Sequence, residues 1–408
     1  MKILYITAEG FDTPNPNNQM AETMIRSFCE VGHSVHLVQS HRKGINPDIP
    51  KLLEGMNNLS VDTIVRKIVD KTNFVKRYIN DVRYAFSAMK YWKKVKDADV
   101  IYLQSNPTII FSMILLKLFK KKTPIVYSIY DVFPGHAYDI GVIKNKFIYE
   151  VLRLIQKPCY KMADSILVQS EDMLDKVVAQ SASREKVFIV PAWYDIQTTS
   201  EVSWENNRFV KKYNIKSEKF YLQFAGTIGY VFDYVTIIEL AKRLIHIPDI
   251  VIHIIGDGNV KEQFVQEVER QKLTNVVFFP LQPVEMVSDV YSACNACIIP
   301  LKKGVIGNGV PSKAAILMAC KRLIINSVEK ESAYSKIFIE NNMGLSIDIG
   351  EYDQLAAAVI DLYNNSGQIE RMVENAYNYG KNYYSSDKSI AKILDVFSKT
   401  IKDKKVKR

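Results

Sequence analysis

Several features are scarce in this chain, and each absence excludes a class of protein. Only five cysteines occur in 408 residues, too few and too scattered for a disulfide-stabilised scaffold. The longest apolar run, Thr108–Phe119, is too short to span a bilayer, which takes about 20 residues. The opening segment MKILYIT has the pattern of a β-strand and lacks the apolar region of a secretory signal peptide. We therefore expect a cytoplasmic protein that at most lies against the inner face of the cell membrane.

Acidic side chains are the minority charge. The chain has 44 Asp and Glu against 54 Lys and Arg, a net charge of +10, which favours an anionic partner. The segment Lys71–Lys96 interleaves aromatic with basic residues at helical spacing, which is compatible with nucleic-acid binding. More often such a helix buries its aromatics and solvates its charges. With Lys117–Lys122 it would form a basic face suited to anionic lipid head groups, and we expect no nucleic-acid partner.

Metal ligands are also few. Cys294 and Cys297 form a C-x-x-C pair, but no second pair or histidine cluster lies nearby, and a structural zinc needs four ligands. Small residues are equally what a buried helix-to-strand junction needs. We expect neither a metal nor another cofactor.

Short β-rich runs alternate with helical patterns throughout, which is typical of parallel α/β architecture. The polar segment 191–207 loses this periodicity and is interpreted as a linker. We predict two doubly wound domains, 1–195 and 196–380, and a carboxyl-terminal helix within 381–408 that packs back toward the first domain. Ligands of such sheets bind beyond the carboxyl ends of the strands. The predicted strands are KILYIT, SVHLVQS, VIYLQS, PIVYSIYD, SILVQS and VFIVPAW, then FYLQFAG, IVIHIIGDG, VVFFP, ACIIPL, RLIIN and GLSIDIG.

Motifs in both halves resemble one enzyme family. In the second half, FYLQFAGTIGYVFDYV, IVIHIIGDGN and VPSKAAILMA occur in the order of the donor half of a GT-B glycosyltransferase of the retaining family 4. In the first half, EVGHSVHLV and ADSILVQSEDM are similar to the acceptor half, and YSIYDVFPGHAYDIG resembles the Asp-x-x-Pro loop of members that build bacterial surface polysaccharides. The resemblance implies two Rossmann-like domains facing a cleft, with the nucleotide sugar bound by the second.

The resemblance implies donor contacts at the ends of three strands. Glycine in the first of these loops permits φ > 0 and close approach of a ligand, although a tight turn without a ligand is the alternative there. Asp257 is as consistent with a helix cap as with a ligand group. The base would be recognised by backbone groups after Pro280. These candidates are Gly226, Thr227, Gly229, Gly256, Asp257 and Leu281.

The stretch GNGVPSKAAILMA predicts a binding loop for the donor diphosphate. Pro311 suits the first position of a helix, whose free N–H groups would face an anion. Lys313 then lies in the first turn, where a cation is unfavourable by about 0.3–1 kcal/mol unless an anion sits there. Gly309, Val310 and Ser312 complete the predicted loop.

The pair of Glu residues that is the usual signature of the family at this point is missing. The helix match puts its positions at Asn308 and Ile316, and the second Glu normally holds the ribose hydroxyls. Either the ribose is held by backbone groups here, or donor binding is weak or lost. Because Ile316 lies one turn after Ser312 on the same helix face, we expect it to be only partly buried.

In the first domain the candidate residues follow two strands. Asp131 and His136 could position or deprotonate an acceptor hydroxyl, although Asp131 could also cap its loop. Tyr130 stands where many relatives carry His. Asn17 and Asn18 would line the acceptor side of the cleft or cap the next helix. In this family the leaving phosphate is thought to take the proton, which requires no separate base and no metal.

Together these features predict a hexosyltransferase that moves a sugar from a nucleoside diphosphate, expected to be UDP, to a lipid-linked bacterial glycan. A GT-B subunit that has lost its ribose carboxylate and supports a partner transferase is the alternative. A nucleotide-sugar epimerase on the same fold would need acid and base residues at the donor sugar, and none is evident.

Overall fold

The computed structural model of this chain describes residues 1–11, 16–42, 50, 53–67, 74–95, 97–365 and 367–406. The chain divides into two compact units. The first comprises residues 1–191, 307–309 and 386–408, and the second comprises 192–306 and 310–385. The chain thus returns to the first unit twice, once for three residues and once for its carboxyl-terminal helix.

The first unit is built on seven parallel strands in the order β3-β2-β1-β4-β5-β6-β7. Four of them (β1, β4, β5 and β6) are buried along their length, or nearly so, as strands covered on both faces are. The strands are β1 Lys2–Ile6, β2 Ser34–Arg42, β3 Leu59–Arg66, β4 Val100–Gln104, β5 Ile125–Ser128, β6 Ser165–Val168 and β7 Val187–Ile189.

One strand of this sheet was not predicted. The segment Leu59–Arg66 forms β3 at the sheet edge, paired only with β2. Most of its residues are half-buried or exposed, so it lacks the continuous apolar run by which the central strands are recognised.

The second unit has six parallel strands in the order β10-β9-β8-β11-β12-β13. Its core joins the strands to flanking helices through residues such as Phe224, Phe232 and Phe264. The strands are β8 Phe220–Ala225, β9 Ile250–Ile255, β10 Val276–Phe279, β11 Ala296–Pro300, β12 Leu323–Ser327 and β13 Gly344–Ile347.

Helices connect most successive strands in both units, and β2 and β3 are the exception among the described residues. They are α1 Pro16–Glu30, α2 Phe74–Lys94, α3 Ile109–Phe119, α4 Gly135–Asp139, α5 Lys146–Met162, α6 Glu171–Ala179, α7 Arg208–Tyr213, α8 Tyr234–Leu244, α9 Lys261–Arg270, α10 Val287–Ser292, α11 Lys313–Ala319, α12 Ala333–Glu340, α13 Tyr352–Asn364, α14 Gly367–Tyr383 and α15 Ser386–Val406. In the described part of the chain, none of them has the length and hydropathy that crossing a membrane requires.

Each sheet reverses its strand order once. In the first unit the reversal lies between β1 and β4, and in the second between β8 and β11. Loops that leave the carboxyl ends of these strand pairs diverge to opposite faces and leave a crevice, where ligands of doubly wound sheets bind. The predicted fold class, α/β with two Rossmann-like doubly wound domains, is confirmed.

Candidate functional site

In the second unit, the loops after β8 and β9 pack backbone against backbone. A Cβ atom on Gly256 would lie 1.9 Å from the carbonyl oxygen of Gly226, and one on Gly258 would lie 2.3 Å from that of Ile228. The φ angles of Gly226 and Gly256 are 139° and 143°, values that favour glycine. The Ile228 N–H donates to the Asp257 carbonyl at 2.9 Å. These glycines are therefore required by loop packing, whether or not a ligand also needs them.

Lys313 contacts the loop that contains Gly226. It begins α11, which follows β11, and β11 is the neighbour of β8 at the reversal of strand order. Lys313 Nζ lies 3.2 Å from where a Cβ of Gly226 would stand and 3.6 Å from the centroid of the Phe224 ring. The residue is half-buried as a whole, but its ammonium group is enclosed, and this burial lowers the pKa of Lys313 to about 7. No carboxylate within the described ranges pairs with it. A diphosphate beside this group would restore its charged form.

The helix that carries Lys313 begins later than predicted. α11 starts at Lys313, with Ser312 at its N-cap, so the prediction that Pro311 is the first helical residue is wrong. The Ala314 N–H bonds to the Pro311 carbonyl at 3.0 Å, a three-residue spacing typical of a tighter turn before the helix. The Lys313 ammonium is thus a stronger feature of this site than the short helix behind it.

Ile316 lies on the half-buried side of α11. Ser312, Lys313 and Ile316 are each half-buried, whereas Ala315 and Leu317 are buried. The position that carries a ribose-binding Glu in the family thus has a partly accessible side chain in this chain.

Asn308, at the position of the other missing Glu, is fully buried within the first unit. Its side-chain Nδ2 donates to the Asp139 carboxylate at 2.5 Å. Its backbone carbonyl accepts from the backbone N–H of Val132 at 2.7 Å. A Cβ on Gly135 would lie 2.6 Å from Asn308 Oδ1. Asn308 therefore fastens residues 307–309 against the loop that leads into α4, which is a structural role.

The other predicted donor residues lie around these loops. Thr227 is exposed and Gly229 is buried beside it. Asp257 is exposed and accepts from the Gly258 N–H at 2.9 Å; it does not cap α9, whose N-cap is Val260. Leu281, just beyond β10, is 66% exposed. Within the described ranges its backbone N–H makes no hydrogen bond.

The first two residues of the predicted loop fall in different units. Val310 is half-buried in the second unit, whereas Gly309 is buried in the first. A Cβ on Gly309 would lie 3.0 Å from Asp131 Oδ1, so this glycine lets the Asp131 carboxylate approach the backbone.

Asp131 and His136 form a pair beyond the carboxyl end of β5. His136 Nε2 lies 3.9 Å from Asp131 Oδ1, with side chains 22% and 57% exposed. The backbone N–H of His136 donates to the backbone carbonyl of Val132 at 2.9 Å, and this bond holds the loop. His136 Nδ1 is buried and makes no hydrogen bond within the described ranges. An accessible carboxylate beside an imidazole can bind and orient a hydroxyl group.

The remaining acceptor-side candidates are more deeply placed. Tyr130 is 7% exposed, with its hydroxyl 3.3 Å from that of Tyr102. Its ring therefore lies beneath the loop rather than on its surface. Asn17 and Asn18 belong to the first turn of α1 itself, and Asn18 Nδ2 donates to the Gly10 carbonyl at 2.8 Å. Asn18 thus ties the loop after β1 to α1.

One residue at the second sheet was missed by sequence reasoning. Glu329 follows β12 by two residues, and its Oε1 accepts from the Gly304 N–H. Its Oε2 is buried and has no hydrogen-bond partner within the described ranges. Glu329 thereby holds the turn Lys302–Val305 that follows β11. A carboxylate two residues after an apolar strand was the available sequence signal.

The C-x-x-C pair lies at the junction between α10 and β11. The thiols of Cys294 and Cys297 are free, buried and 3.4 Å apart. No cluster of three or more potential metal ligands occurs in the described part of the chain. Cys297 instead lies close enough to Lys313 to influence its pKa.

Comparison with known proteins identifies both halves. A family model described as "Glycosyltransferase Family 4" matches residues 18–198, and one described as "Glycosyl transferases group 1" matches residues 205–379. The probable glycosyltransferase WbjE of Pseudomonas aeruginosa is 23% identical over 81% of this chain and 83% of its own length. The putative colanic acid biosynthesis glycosyl transferase WcaI of Escherichia coli is 23% identical over 43% of this chain and 42% of its own length.

Solved structures share the fold at low identity. HepE of Anabaena, solved in complex with UDP and glucose, superimposes with a TM-score of 0.74 at 12% identity, over 98% of this chain and 100% of that one. The two family matches occur in the order of the two sheets and together span most of the chain. The protein is therefore a glycosyltransferase of GT-B architecture, similar to family 4 in its first half and to group 1 in its second.

Proposed function

We propose that this enzyme is a retaining glycosyltransferase that transfers a sugar from a UDP-sugar to a lipid-linked acceptor of a bacterial surface polysaccharide. One observation carries the proposal: the enclosed Lys313 ammonium lies beside the Gly226 loop, where the second sheet reverses its strand order. This is where a doubly wound domain binds a nucleotide. Lys313 has a buried ammonium and no carboxylate partner among the described residues, which suits a diphosphate.

Two relatives support the choice of donor and pathway. HepE has been solved with UDP and glucose, and the name of WcaI assigns it to colanic acid biosynthesis. The Asp-x-x-Pro loop at Asp131 resembles that of surface-polysaccharide enzymes.

The proposed reaction exchanges two bonds at the anomeric carbon. The bond from that carbon to the diphosphate oxygen breaks, and a bond to the acceptor oxygen forms on the same face of the sugar. The acceptor proton passes to the departing diphosphate. Lys313 stabilises the negative charge that develops on the diphosphate, while Asp131 and His136 hold the acceptor hydroxyl.

A second candidate follows from the two substituted Glu positions. Asn308 is committed to holding residues 307–309, and Ile316 cannot bind ribose hydroxyls. A GT-B subunit with weakened donor binding that supports a partner transferase would have these features. Donor hydrolysis by the purified chain, assayed with a panel of nucleotide sugars, separates the two functions.

The proposal is tested by Lys313→Ala and by the near-isosteric Lys313→Met. We expect both variants to stay folded and to lose about 10²–10³ in kcat, as when one group that stabilises the developing charge is removed. The matched control is Lys303→Ala, which changes an exposed lysine that, like Lys313, follows β11. It should keep full activity. Near-normal turnover by folded Lys313→Met would refute the role of Lys313.

A further inference from the structure

Helix α5 presents an apolar stripe to solvent. Phe147, Ile148, Val151, Leu154 and Ile155 are 76%, 50%, 38%, 60% and 47% exposed. Their spacing places all five on one face of the helix. The opposite face buries Gln156, Cys159 and Tyr160 against the first unit. The helix thus packs one face on the unit and leaves a second, apolar face uncovered.

Helix α3 packs against α5 and also presents exposed apolar side chains. Phe111, Ile114 and Leu118 are 37%, 44% and 59% exposed and recur at i, i+3 and i+7, again on one face. On the other side of α3, Phe86 of α2 is 53% exposed, with its ring centroid 6.5 Å from that of Phe111. We call the exposed apolar residues of α3 and α5 the α3–α5 face. An apolar surface that extends over two helices marks an interaction site.

Lysines flank the α3–α5 face. Lys144 and Lys146 are exposed at the start of α5, Lys161 is exposed at its end, and Lys121 is exposed just after α3. The carboxylate of Glu150, near the stripe, is paired with Arg153 at 2.8 Å. The fringe of this apolar surface is therefore positive, which complements an anionic lipid surface.

We propose that the α3–α5 face is a membrane-docking surface that inserts its apolar side chains between the head groups of an anionic bilayer. An apolar helix face flanked by lysines is the arrangement by which interfacial helices bind such membranes. This proposal rests on the proposed lipid-linked acceptor for its purpose, but its evidence is independent of the reaction.

The position of α5 explains what docking would achieve. Tyr149 of α5 stacks on Tyr138 of α4 with ring centroids 4.5 Å apart, and α4 carries His136. The helix that bears the apolar stripe thus directly supports the acceptor loop. Docking through α5 would bring Asp131 and His136 close to the bilayer surface, where a lipid-linked saccharide is presented.

The α3–α5 face shares Leu118 and Lys121 with the surface that the basic sequence pattern suggested, and otherwise lies elsewhere. Tyr84 and Trp92 of α2 are buried, so part of the Lys71–Lys96 pattern reflects core packing. Residues 71–73 and 96 lie outside the described residues. In the second predicted segment, Lys117 is engaged by Asp164 at 3.0 Å. The exposed stripes of α3 and α5 supply the apolar contacts that lysines alone lack.

The test is flotation of the full-length protein with two kinds of vesicle: phosphatidylcholine alone, and phosphatidylcholine mixed with phosphatidylglycerol. We expect binding to the mixed vesicles, reduced about tenfold by Phe147→Ser with Leu154→Ser, since each removes exposed apolar surface from the stripe. The matched control is Val31→Ser with Ile339→Ser, at side chains 60% and 47% exposed elsewhere, and it should bind as wild type. Equal loss in both double variants, or no binding by wild type, would overturn the proposal.

A local probe distinguishes insertion from non-specific adsorption. In Phe147→Trp, the new indole should shift its fluorescence to shorter wavelength when mixed vesicles are added, whereas the indole of Val31→Trp should not. An unshifted spectrum for Phe147→Trp would overturn the proposal. So would a concentration-dependent dimer that Phe147→Ser with Leu154→Ser abolishes, since a second copy would then cover the face.

Donor hydrolysis separates this inference from the proposed function. The serine double variant should hydrolyse a UDP-sugar at the wild-type rate, because its changes lie outside the nucleotide loops. Vesicle binding without any transferase activity would leave the docking surface standing and refute the proposed reaction. Transferase activity without vesicle binding would support the proposed reaction and refute the docking surface.

Discussion

Lys313 shows how a single side chain acquires chemistry from its surroundings. In water its ammonium would stay charged to a pH above 10. Against the Phe224 ring and the Gly226 loop, burial lowers its pKa to about 7. Charge on this group is thus available near neutral pH and would be stabilised by an arriving anion. That combination suits a residue that must hold a diphosphate more tightly as its charge grows.

We predict that UDP binding weakens as the pH rises above about 7. The free protein then loses the Lys313 proton, whereas the complex retains it, because the diphosphate raises the pKa of Lys313. Affinity is therefore greatest at or below the free pKa and falls by up to about tenfold per pH unit above it. Calorimetric titration of UDP between about pH 6 and about pH 9 measures this slope. Lys313→Met, which retains only the titration of the ligand, should show a flatter dependence; identical slopes would contradict the prediction.

Ile316→Glu tests the missing ribose carboxylate. Because Ile316 is only half-buried, we expect the variant to fold and to bind UDP about tenfold or more tightly, since charge-assisted hydrogen bonds contribute about 1.5–3 kcal/mol. The neighbouring Leu317→Glu is the matched control. Leu317 is fully buried, and an unpaired carboxylate there would cost several kcal/mol. Melting curves and calorimetry on both variants report the outcome. A collapse of Ile316→Glu like that of Leu317→Glu would show that Ile316 belongs to the core.

At the scale of elements, the candidate nucleotide site is formed where loops that follow neighbouring strands pack together. The glycines after β8 and β9 were predicted from their place at strand ends, and the structure adds a packing reason to the ligand contact that the sequence suggested. Gly256 is needed because the Gly226 carbonyl occupies the space of its Cβ. A glycine at the end of a strand indicates that another group approaches the backbone closely. The sequence alone does not distinguish a backbone neighbour from a ligand.

Gly256→Ala should therefore destabilise the protein even without a ligand. The added methyl group would lie 1.9 Å from the Gly226 carbonyl oxygen at a φ of 143°, and we expect a loss of about 1–3 kcal/mol in the free energy of unfolding. UDP binding should weaken as well, because the Gly226 loop must move. Gly229→Ala is the control: its Cβ would meet only the exposed Thr227 side chain, at 3.3 Å. Denaturant titration that finds the two variants equally stable would contradict the loop-packing role.

At the scale of the whole molecule, the first unit is completed by a helix from the other end of the chain. α15 completes it: Phe397 lies 5.7 Å from Phe28 and 6.1 Å from Tyr102 between ring centroids. Ser165 and Thr400 also share a hydrogen bond of 2.7 Å. The carboxyl-terminal helix is therefore part of the core that supports α1, β4 and β6.

Phe397→Ala should loosen the first unit and leave the candidate nucleotide loops of the second unit intact. Truncation of a fully buried Phe costs about 3–5 kcal/mol, so hydrogen exchange of β1 and β4 should accelerate while the UDP affinity stays unchanged. Val406→Ala, at a side chain 80% exposed on the same helix, should change neither. Equal acceleration in β8 and β9 would show that α15 stabilises both units alike.

The amino-acid order determined the alternation of strands and helices, the two sheets and the place of the candidate loops, because apolar periodicity and strand-end glycines are local signals. The edge strand β3 lacked such a signal and was missed. Tertiary packing decided the rest, since burial depends on residues distant in sequence. Asn308 became a buried fastening of residues 307–309, Tyr130 came to lie beneath its loop, and Lys313 lost its hydration against Phe224. The same packing covered one face of α5 and left its apolar stripe in solvent, which a helical pattern alone does not distinguish.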